Sequence, residues 1–195
     1  MPGWILASTS PFRRKLLEDA GLVFDTASPD VDEKAVASAL KRARPSSTPE
    51  DVVKALAEAK ARDVLRSHPE STVVGADQIL ALDDQILGKP VDAEAAKAQI
   101  QSLSGRSHRL MTAVAVVGGG PDDVFIEETI LTLRALTDSE INAYVETGEW
   151  KGCAGGYRIE AQGIQLMSRI DGDYHNIVGM PVLSLLKALR ERGVV

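Results

Sequence analysis

The stretch Val73–Pro90 (VVGADQILALDDQILGKP) constrains the fold more than any other part of the chain. Two β-branched residues open it and the pair Asp83-Asp84 is typical of a turn, so the pattern predicts a β-hairpin. Asp77 lies on the first strand, and Lys89 follows the second. Side chains at strand ends beside a turn are held rigidly at a sheet rim, where catalytic groups are often found. A surface hairpin with turn-forming aspartates is the alternative.

Charge narrows the class of ligand. The 195 residues include 22 Lys and Arg against 28 Asp and Glu, for a formal net charge of −6. This balance argues against a nucleic-acid polymer as partner, because binding to a phosphate backbone needs a dominant positive field. A small anion needs only a few cations gathered locally, with a bound metal adding positive charge. The sequence therefore favours a small anionic ligand over nucleic acid.

Cysteine content and hydropathy bear on location. The single cysteine, Cys153, cannot form an internal disulfide, so nothing in the sequence requires an oxidising compartment. The N-terminal apolar run is too short for a signal peptide, and no stretch approaches the roughly 18 apolar residues of a membrane span. We therefore expect a cytoplasmic protein with no membrane partner.

The start of the first predicted helix has the features of an anion site. Ser10 suits the cap and Pro11 the first helical position. Arg13 in the first turn opposes the helix dipole, at a cost of about 0.3–1 kcal/mol when exposed, and a bound phosphate would remove that cost. The hydroxyl of Ser8 and the backbone N–H groups at the helix start could bind the same anion. Solvated side chains for Arg13 and Arg14 are the alternative.

Two further charged features could serve such a site. Lys60 falls on the apolar stripe of a helix predicted from the Thr48 cap to about Arg66. An ammonium there is costly unless it snorkels to solvent or meets an anion. The acidic residues Asp30, Asp32 and Glu33 could cap the next helix or hold a divalent cation through oxygen ligands. The sequence leaves open whether Lys60 snorkels or meets an anion, and whether the acidic residues cap a helix or hold a cation.

Strand-like and helical segments alternate irregularly, which predicts an α/β fold with a mixed sheet. We expect one domain spanning residues 1–195, with two lobes and a ligand cleft between them. Besides the hairpin, the predicted strands are Trp4–Ala7, Leu22–Thr26, Arg109–Val117, Val124–Leu136 and Ile164–Ile170. Besides those named above, the predicted helices are Ala93–Leu103 capped by Asp92, one from the Thr137 capping box to Gly148, and Pro181–Arg192, with Asp171–Gly179 as a polar loop.

A set of short motifs runs in order along nearly the whole chain. They are ILASTSPFRRKLL at 5–17, DVDE at 30–33, GADQ at 75–78, LGKP at 87–90, LSG at 103–105 followed by His108, AG at 154–155 and IVGMP at 177–181. Together they resemble the Maf family of nucleoside triphosphate pyrophosphatases. The resemblance implies a two-lobed Maf/ITPase-like α/β fold and a homodimer. It also implies hydrolysis of a nucleoside triphosphate to the monophosphate and pyrophosphate with a divalent metal, Mg²⁺ or Mn²⁺.

The resemblance also implies roles for individual residues. Asp77 would be the catalytic proton acceptor or metal-linked base, and Glu33 would hold the metal with it. The residues implied to bind the triphosphate are Ser8, Arg13, Lys60 and Lys89. In such a mechanism the cations stabilise charge developing on the α-phosphoryl group while Asp77 orients or deprotonates the attacking water.

Three positions resemble those that separate branches of the family by substrate. Members acting on dTTP and UTP have arginine, threonine and glutamine where this chain has Phe12, Gln78 and Glu160. Members acting on 7-methyl-GTP have an aromatic residue, glutamine and glutamate there. A cationic 7-methylguanine gains about 0.5–2 kcal/mol on an aromatic face, and Glu160 can accept from guanine N–H groups. The tryptophan expected in that branch is replaced by Phe12, which weakens stacking, and simple packing of Phe12 in its helix is the alternative.

The resemblance therefore implies specificity for 7-methyl-GTP. Two other functions stay open: a pyrophosphatase for dTTP, UTP or noncanonical nucleotides, and a nucleotide-binding regulator of septum formation. The variant Asp77→Asn separates an enzyme from a binding module, because a binding module would tolerate this substitution, whereas an enzyme should lose turnover and keep its ligand.

Overall fold

The computed structural model describes residues 3–195, which form an α/β fold. The strands are β1 Trp4–Ala7, β2 Asp25–Ala27, β3 Thr72–Leu82, β4 Gln85–Leu87, β5 Ser107–Val117, β6 Asp123–Leu133 and β7 Met167–Asp171. The helices are α1 Pro11–Asp19, α2 Glu33–Ala43, α3 Pro49–Ser67, α4 Ala93–Leu103, α5 Asp138–Glu146, α6 Tyr174–Val178 and α7 Val182–Glu191. Within residues 3–195, no helix has the length and apolar character needed to cross a membrane.

The strands form one mixed sheet, in the order β2-β1-β3-β5-β6-β7, with β4 paired to β3 outside this path. Strand β1 is parallel to both β2 and β3, whereas β4 is antiparallel to β3 and β7 is antiparallel to β6. The predicted hairpin is confirmed: Leu80 lies opposite Leu87, and Asp83 occupies the turn with a φ of 54°. Asp77, however, lies in the middle of β3 rather than at its end.

The predicted helix starts are confirmed by their hydrogen bonds. The side chains of Ser10, Thr48, Asp92 and Thr137 each accept from a backbone N–H three residues ahead. Asp32 does the same for α2, accepting from the N–H of Ala35 at 2.9 Å, so capping is confirmed for this member of the acidic cluster. These bonds satisfy N–H groups that the first helical turn leaves without partners.

Two predicted strands are displaced. The strand predicted at Leu22–Thr26 lies at Asp25–Ala27, because pairing with β1 begins with Ile5 opposite Asp25. Leu22 and Phe24 instead pack beside the core outside the strand. The segment predicted as a strand at Ile164–Ile170 begins as a 3₁₀ helix, Gln162–Leu166, and only then becomes β7. Strand pairing set the boundaries in both cases, and two apolar residues of the predicted strands are exposed, Val23 at 89% and Ile164 at 46%.

Two other boundaries differ from the sequence prediction. The region Asp171–Gly179 is not only a loop, since it contains α6. The Asp173 carboxylate accepts from the N–H of His175 at 2.8 Å, which satisfies a donor in the first turn of that helix. Strand β6 ends at Leu133, not at Leu136, because the N–H of Leu136 turns to the hydroxyl of Ser104 at 2.8 Å.

The chain forms two compact units. The first comprises the chain up to Asp77, with Thr112–Glu127 and Gly179–Val195; its core includes Trp4, Leu6, Leu17, Val74, Val114, Met180 and Leu185. The second comprises Gln78–Met111 and Glu128–Val178; its core includes Leu80, Ile100, Leu110, Leu131, Ile141 and Tyr157. The single domain and the cleft between lobes stay predictions.

In the first unit, α3 packs directly onto the backbone of β3. Val74 and Ala76 point into the core, and alternation along the strand turns Gly75 and Asp77 to the opposite face. A Cβ atom at Gly75 would lie 2.4 Å from the carbonyl oxygen of Ala57 and 2.7 Å from the nitrogen of Ala61. Only glycine therefore allows this approach of helix and strand.

Gly75→Ala should lower the free energy of unfolding by about 2 kcal/mol, because the added methyl must push α3 away from β3. Urea denaturation measures the change. Gly3→Ala is the matched control, since a Cβ there meets nothing within 4 Å, and it should shift stability by less than about 0.5 kcal/mol. Equal stability of the two variants would contradict the close packing of α3 on β3.

The second unit buries a histidine. His108 is 2% exposed, and its Nε2 lies 2.6 Å from the hydroxyl of buried Tyr157, with which it shares a hydrogen bond. Burial lowers the pKa of His108 to about 4. The same side chain in an unfolded chain titrates near pH 6.5. Between these two values the unfolded state binds more protons than the folded state, so folding becomes less stable as pH falls.

The protein should therefore lose about 2 kcal/mol of stability through His108 between pH 6.5 and pH 4.5. The measurement is denaturant unfolding at a series of pH values for the wild type and His108→Gln. The variant should show a shallower dependence over this window, and exposed His68→Gln should keep the wild-type dependence. Parallel curves for the wild type and His108→Gln would contradict a neutral, buried imidazole.

Candidate active site

One lysine joins two carboxylates in the first unit. The Nζ of Lys60 lies 2.5 Å from Oδ1 of Asp77 and 2.6 Å from Oε1 of Glu33. The side chains of Lys60 and Asp77 are 12% and 10% exposed, whereas that of Glu33 is 56% exposed. We call these three residues the Lys60 cluster. Of the two alternatives for Lys60, snorkelling to solvent or pairing with an anion, the structure shows pairing. The anion is a pair of carboxylates rather than a phosphate.

Local structure explains why these side chains converge. Lys60 follows Ala57 by three positions on α3, so both side chains lie on the helix face that packs on β3. Asp77 follows Gly75 by two positions, so it shares the strand face that meets the helix. Glu33 is the first residue of α2, immediately after its Asp32 cap. The close approach at Gly75 therefore brings Lys60 within reach of Asp77.

Arg13 is anchored beside this cluster. Its Nη1 donates to the carbonyl of Ala76 at 2.9 Å and its Nε to the carbonyl of Gly179 at 2.8 Å. Arg14 instead forms an exposed pair with Glu18, at 2.7 Å. The solvated-arginine alternative is therefore right for Arg14 and wrong for Arg13. The backbone bonds hold the guanidinium next to the strand position that precedes Asp77.

Burial dominates the electrostatics of this site. Burial raises the pKa of Asp77 above its ordinary value, while Lys60 and Arg13 act in the opposite direction and Glu33 adds to the rise. Burial likewise lowers the pKa of Arg13, against the opposing effect of Asp77 and Glu33. A carboxylate with a raised pKa is a stronger base than an exposed one, and general bases work best with a pKa close to the operating pH.

Ser8 and Phe12 flank the start of α1. Ser8 directly follows β1, and its Oγ accepts from the N–H of Ser10 at 3.2 Å. Phe12 is the second residue of α1 and is half-buried. Both residues lie in the same short segment as Arg13. Ser8, Phe12 and Arg13 thus belong to the loop and the first turn at one helix N-terminus.

The other three candidates belong to the second unit. The Nε2 of Gln78 donates to the carbonyl of Asn176 at 2.7 Å and to that of Ile177 at 3.4 Å. Glu160 accepts from Nε of Arg158 at 2.8 Å, and its side chain is 27% exposed. Lys89 is exposed, two residues beyond the end of β4.

The structure brings together Glu33, Lys60, Asp77 and Arg13 within the first unit. Sequence reasoning missed the backbone carbonyls of Ala76, Gly179 and Asn176, which hold Arg13 and Gln78. A carbonyl has no signature in the sequence, because every residue carries one. The available pointers were the motifs GADQ, which includes Ala76, and IVGMP, which includes Gly179.

The carboxylates of the Lys60 cluster fit a divalent cation in number and chemistry. Across residues 3–195, no three His, Cys, Asp or Glu side chains are grouped as metal ligands. Glu33 and Asp77 nevertheless direct two oxygens at one point, now taken by the Lys60 ammonium. Mg²⁺ is commonly held by one or two carboxylates together with substrate phosphates, and this pair matches that number.

Comparison with known proteins identifies similar chains. A family model described as Maf-like protein matches residues 3–192. The chain is 46% identical to a 7-methyl-GTP pyrophosphatase of Brucella abortus, over 98% of this chain and 96% of that protein. It is 40% identical to a nucleoside triphosphate pyrophosphatase of Ruegeria pomeroyi, with the same coverage. It is 38% identical to a dTTP/UTP pyrophosphatase of Bacillus pumilus, over 97% of this chain and 96% of that protein.

Proposed function

Because this chain belongs to the Maf-like family, we propose that it hydrolyses a nucleoside triphosphate to the nucleoside monophosphate and pyrophosphate. The similar proteins from Brucella abortus and Ruegeria pomeroyi carry pyrophosphatase names, which supports this activity. The observation that carries the proposal is the Lys60 cluster, in which a nearly buried carboxylate lies against an ammonium and close to a guanidinium. Such a site suits a polyanion and an activated water.

In the proposed reaction, water attacks the α-phosphorus and Asp77 accepts a proton from it. The bond from the α-phosphorus to the bridging oxygen breaks, and pyrophosphate leaves with the electron pair. Arg13 and Lys60 supply positive charge near the phosphates, with Ser8 in the same loop and Lys89 as a further phosphate contact. A Mg²⁺ or Mn²⁺ ion held by Glu33 and Asp77, in place of the Lys60 ammonium that lies between them, would stabilise charge on the phosphoryl oxygens.

We propose 7-methyl-GTP as the preferred substrate. Phe12 offers an aromatic face to a cationic base, and Glu160 can accept from the base N–H groups. The hydrogen bond from Arg158 to Glu160 fixes one carboxylate oxygen and partly offsets its charge. Hydrolysis of dTTP or UTP is the second candidate, favoured by the similarity to the Bacillus pumilus protein.

Pyrophosphate release from a panel of nucleotides tests both the pyrophosphatase activity and the preference for 7-methyl-GTP. The panel is 7-methyl-GTP, GTP, dTTP, UTP and CTP, each with Mg²⁺ and with Mn²⁺. We expect 7-methyl-GTP to be preferred, and Glu160→Gln to reduce that preference about tenfold through loss of a charge-assisted bond. Exposed Glu146→Gln is the matched control and should leave it unchanged.

The possible outcomes of the panel are distinct. Preference for dTTP or UTP would retain the pyrophosphatase and contradict the assignment of the base. No turnover of any nucleotide would contradict the enzyme and favour the nucleotide-binding regulator of septum formation.

The homodimer and the cytoplasmic location stay predictions implied by the family. Light scattering coupled to size-exclusion chromatography measures the first, and a molar mass near the 20.9 kDa of one chain would contradict it.

A further inference from the structure

The orientation of the Gln78 amide is determined by its hydrogen-bond partners. The Nε2 group donates to two backbone carbonyl oxygens, of Asn176 and Ile177. Only the NH₂ end of an amide can donate to a carbonyl, so the reversed orientation would set oxygen against oxygen. The amide oxygen of Gln78 is therefore turned away from α6. The position of two carbonyls on α6 thus decides which way the Gln78 acceptor faces.

Helix α6, which carries these carbonyls, is held in place by hydrogen bonds from the buried side chain of Asn176. Asn176 is fully buried, and its Nδ2 donates to the carbonyl of Leu110 at 3.2 Å and to Oγ1 of Thr129 at 3.0 Å. These bonds connect α6 to β5 and to β6. Asn176 thus donates through its side chain to β5 and β6 and accepts through its backbone carbonyl from Gln78. A movement of Asn176 would therefore also move the carbonyl that holds the Gln78 amide.

Thr129 holds the residues just before α6 through a hydrogen bond to the carbonyl of Asp173. Its side chain is fully buried, and its Oγ1 donates to the carbonyl of Asp173 at 3.0 Å while it accepts from Asn176. The hydroxyl therefore uses its one proton and a lone pair at once. At Gly172, where φ is 132°, a Cβ would lie 2.9 Å from this Oγ1. The segment before α6 thus packs against Thr129 at a distance that only glycine allows.

We infer that Thr129 and Asn176 are positioning residues that fix the Gln78 side chain and thereby set the base selectivity of the site. This inference rests on the proposed function, because Gln78 selects a base only if the chain binds nucleotides. Neither residue touches the substrate; both act through the carbonyl groups that hold the Gln78 amide. Loss of one buried hydroxyl should therefore change selectivity between bases more than it changes the hydrolytic step.

A double-mutant cycle tests the inference by kinetics. Thr129→Val removes the hydroxyl and keeps the shape, and Thr129→Ser keeps the hydroxyl. We measure kcat and KM with 7-methyl-GTP and with UTP for the wild type and for both Thr129 variants. The same measurements are then repeated with Gln78→Ala as the background. Thr129→Val should reduce the ratio of the two kcat/KM values about tenfold, mainly through KM, whereas Thr129→Ser should nearly restore it.

The Gln78→Ala background separates positioning from general stability. If Thr129 acts through Gln78, Thr129→Val has no further effect on selectivity when the amide is absent. An equal loss with both nucleotides, or a selectivity change that persists in Gln78→Ala, would overturn the inference while leaving the pyrophosphatase intact. A wild type that hydrolyses both nucleotides equally well would also overturn it.

A measurement without substrate keeps the positioning role testable if the variants lose activity. The side-chain NH₂ of Gln78 can be assigned in a ¹H–¹⁵N spectrum by its disappearance in Gln78→Ala. We expect a rigid signal in the wild type and in Thr129→Ser, and a mobile one in Thr129→Val. A signal that is equally rigid in Thr129→Val would overturn the inference. If no nucleotide is hydrolysed, the proposed function and the role in selectivity both fail, and this spectrum still decides whether Thr129 orders Gln78.

Discussion

Asp77→Asn should lower the rate of pyrophosphate release by about a thousandfold while nucleotide binding persists. Asparagine has nearly the same shape and can still accept a hydrogen bond from Lys60, but its amide cannot take a proton from water. A positioned general base contributes roughly 10²–10⁴ in rate, so its removal should cost about that much. Steady-state assays measure the rate, and isothermal titration calorimetry with the nucleotide measures binding.

Asp84→Asn is the matched control for this variant. Asp84 lies on the same hairpin as Asp77 and is exposed in the turn between β3 and β4, so the control should keep the parent rate. Hydrolysis by Asp77→Asn at the parent rate would contradict the role of Asp77.

Lys60→Met should lower the free energy of unfolding by about 3 kcal/mol. Removal of one partner from a buried ion pair leaves the other charge uncompensated, which commonly costs about 3–5 kcal/mol. We place the loss at the lower end because Glu33 is 56% exposed and water can compensate its charge. Burial already raises the pKa of Asp77, and loss of the ammonium should raise that pKa further. Urea denaturation near neutral pH measures the loss.

Two further variants show whether the cost comes from Asp77. Exposed Lys54→Met on the same helix should change stability by less than about 0.5 kcal/mol. Asp77→Asn in the Lys60→Met background should recover part of the loss, because a neutral amide needs no cation. If Lys60→Met is as stable as Lys54→Met, the pair between Lys60 and Asp77 does not stabilise the fold.

Local signals predicted most of the elements. The caps Ser10, Thr48, Asp92 and Thr137 each mark a helix start, since a cap is a bond between residues three apart and needs no tertiary context. The hairpin around Asp83 was predictable for the same reason, because its turn chemistry is local. The Lys60 position on an apolar stripe left snorkelling and an anionic partner open, and the structure pairs Lys60 with two carboxylates.

The strand boundaries required tertiary information. Strand β2 lies where its backbone pairs with β1, three residues beyond the predicted start, and the polar stretch after β7 contains α6. Pairing depends on residues far apart in the chain, which periodicity in one segment cannot reveal.

The amino-acid sequence by itself determined the family motifs, the helix caps, the hairpin and the set of charged residues that could serve a phosphate site. Only the tertiary structure decided which of them meet. It set the Lys60 ammonium between Glu33 and Asp77, and it tied Gln78 to carbonyls of α6. The physical reason is that ion pairs and backbone hydrogen bonds depend on distances of about 3 Å. Those distances are set by packing, here by the contact of α3 with β3 that Gly75 allows.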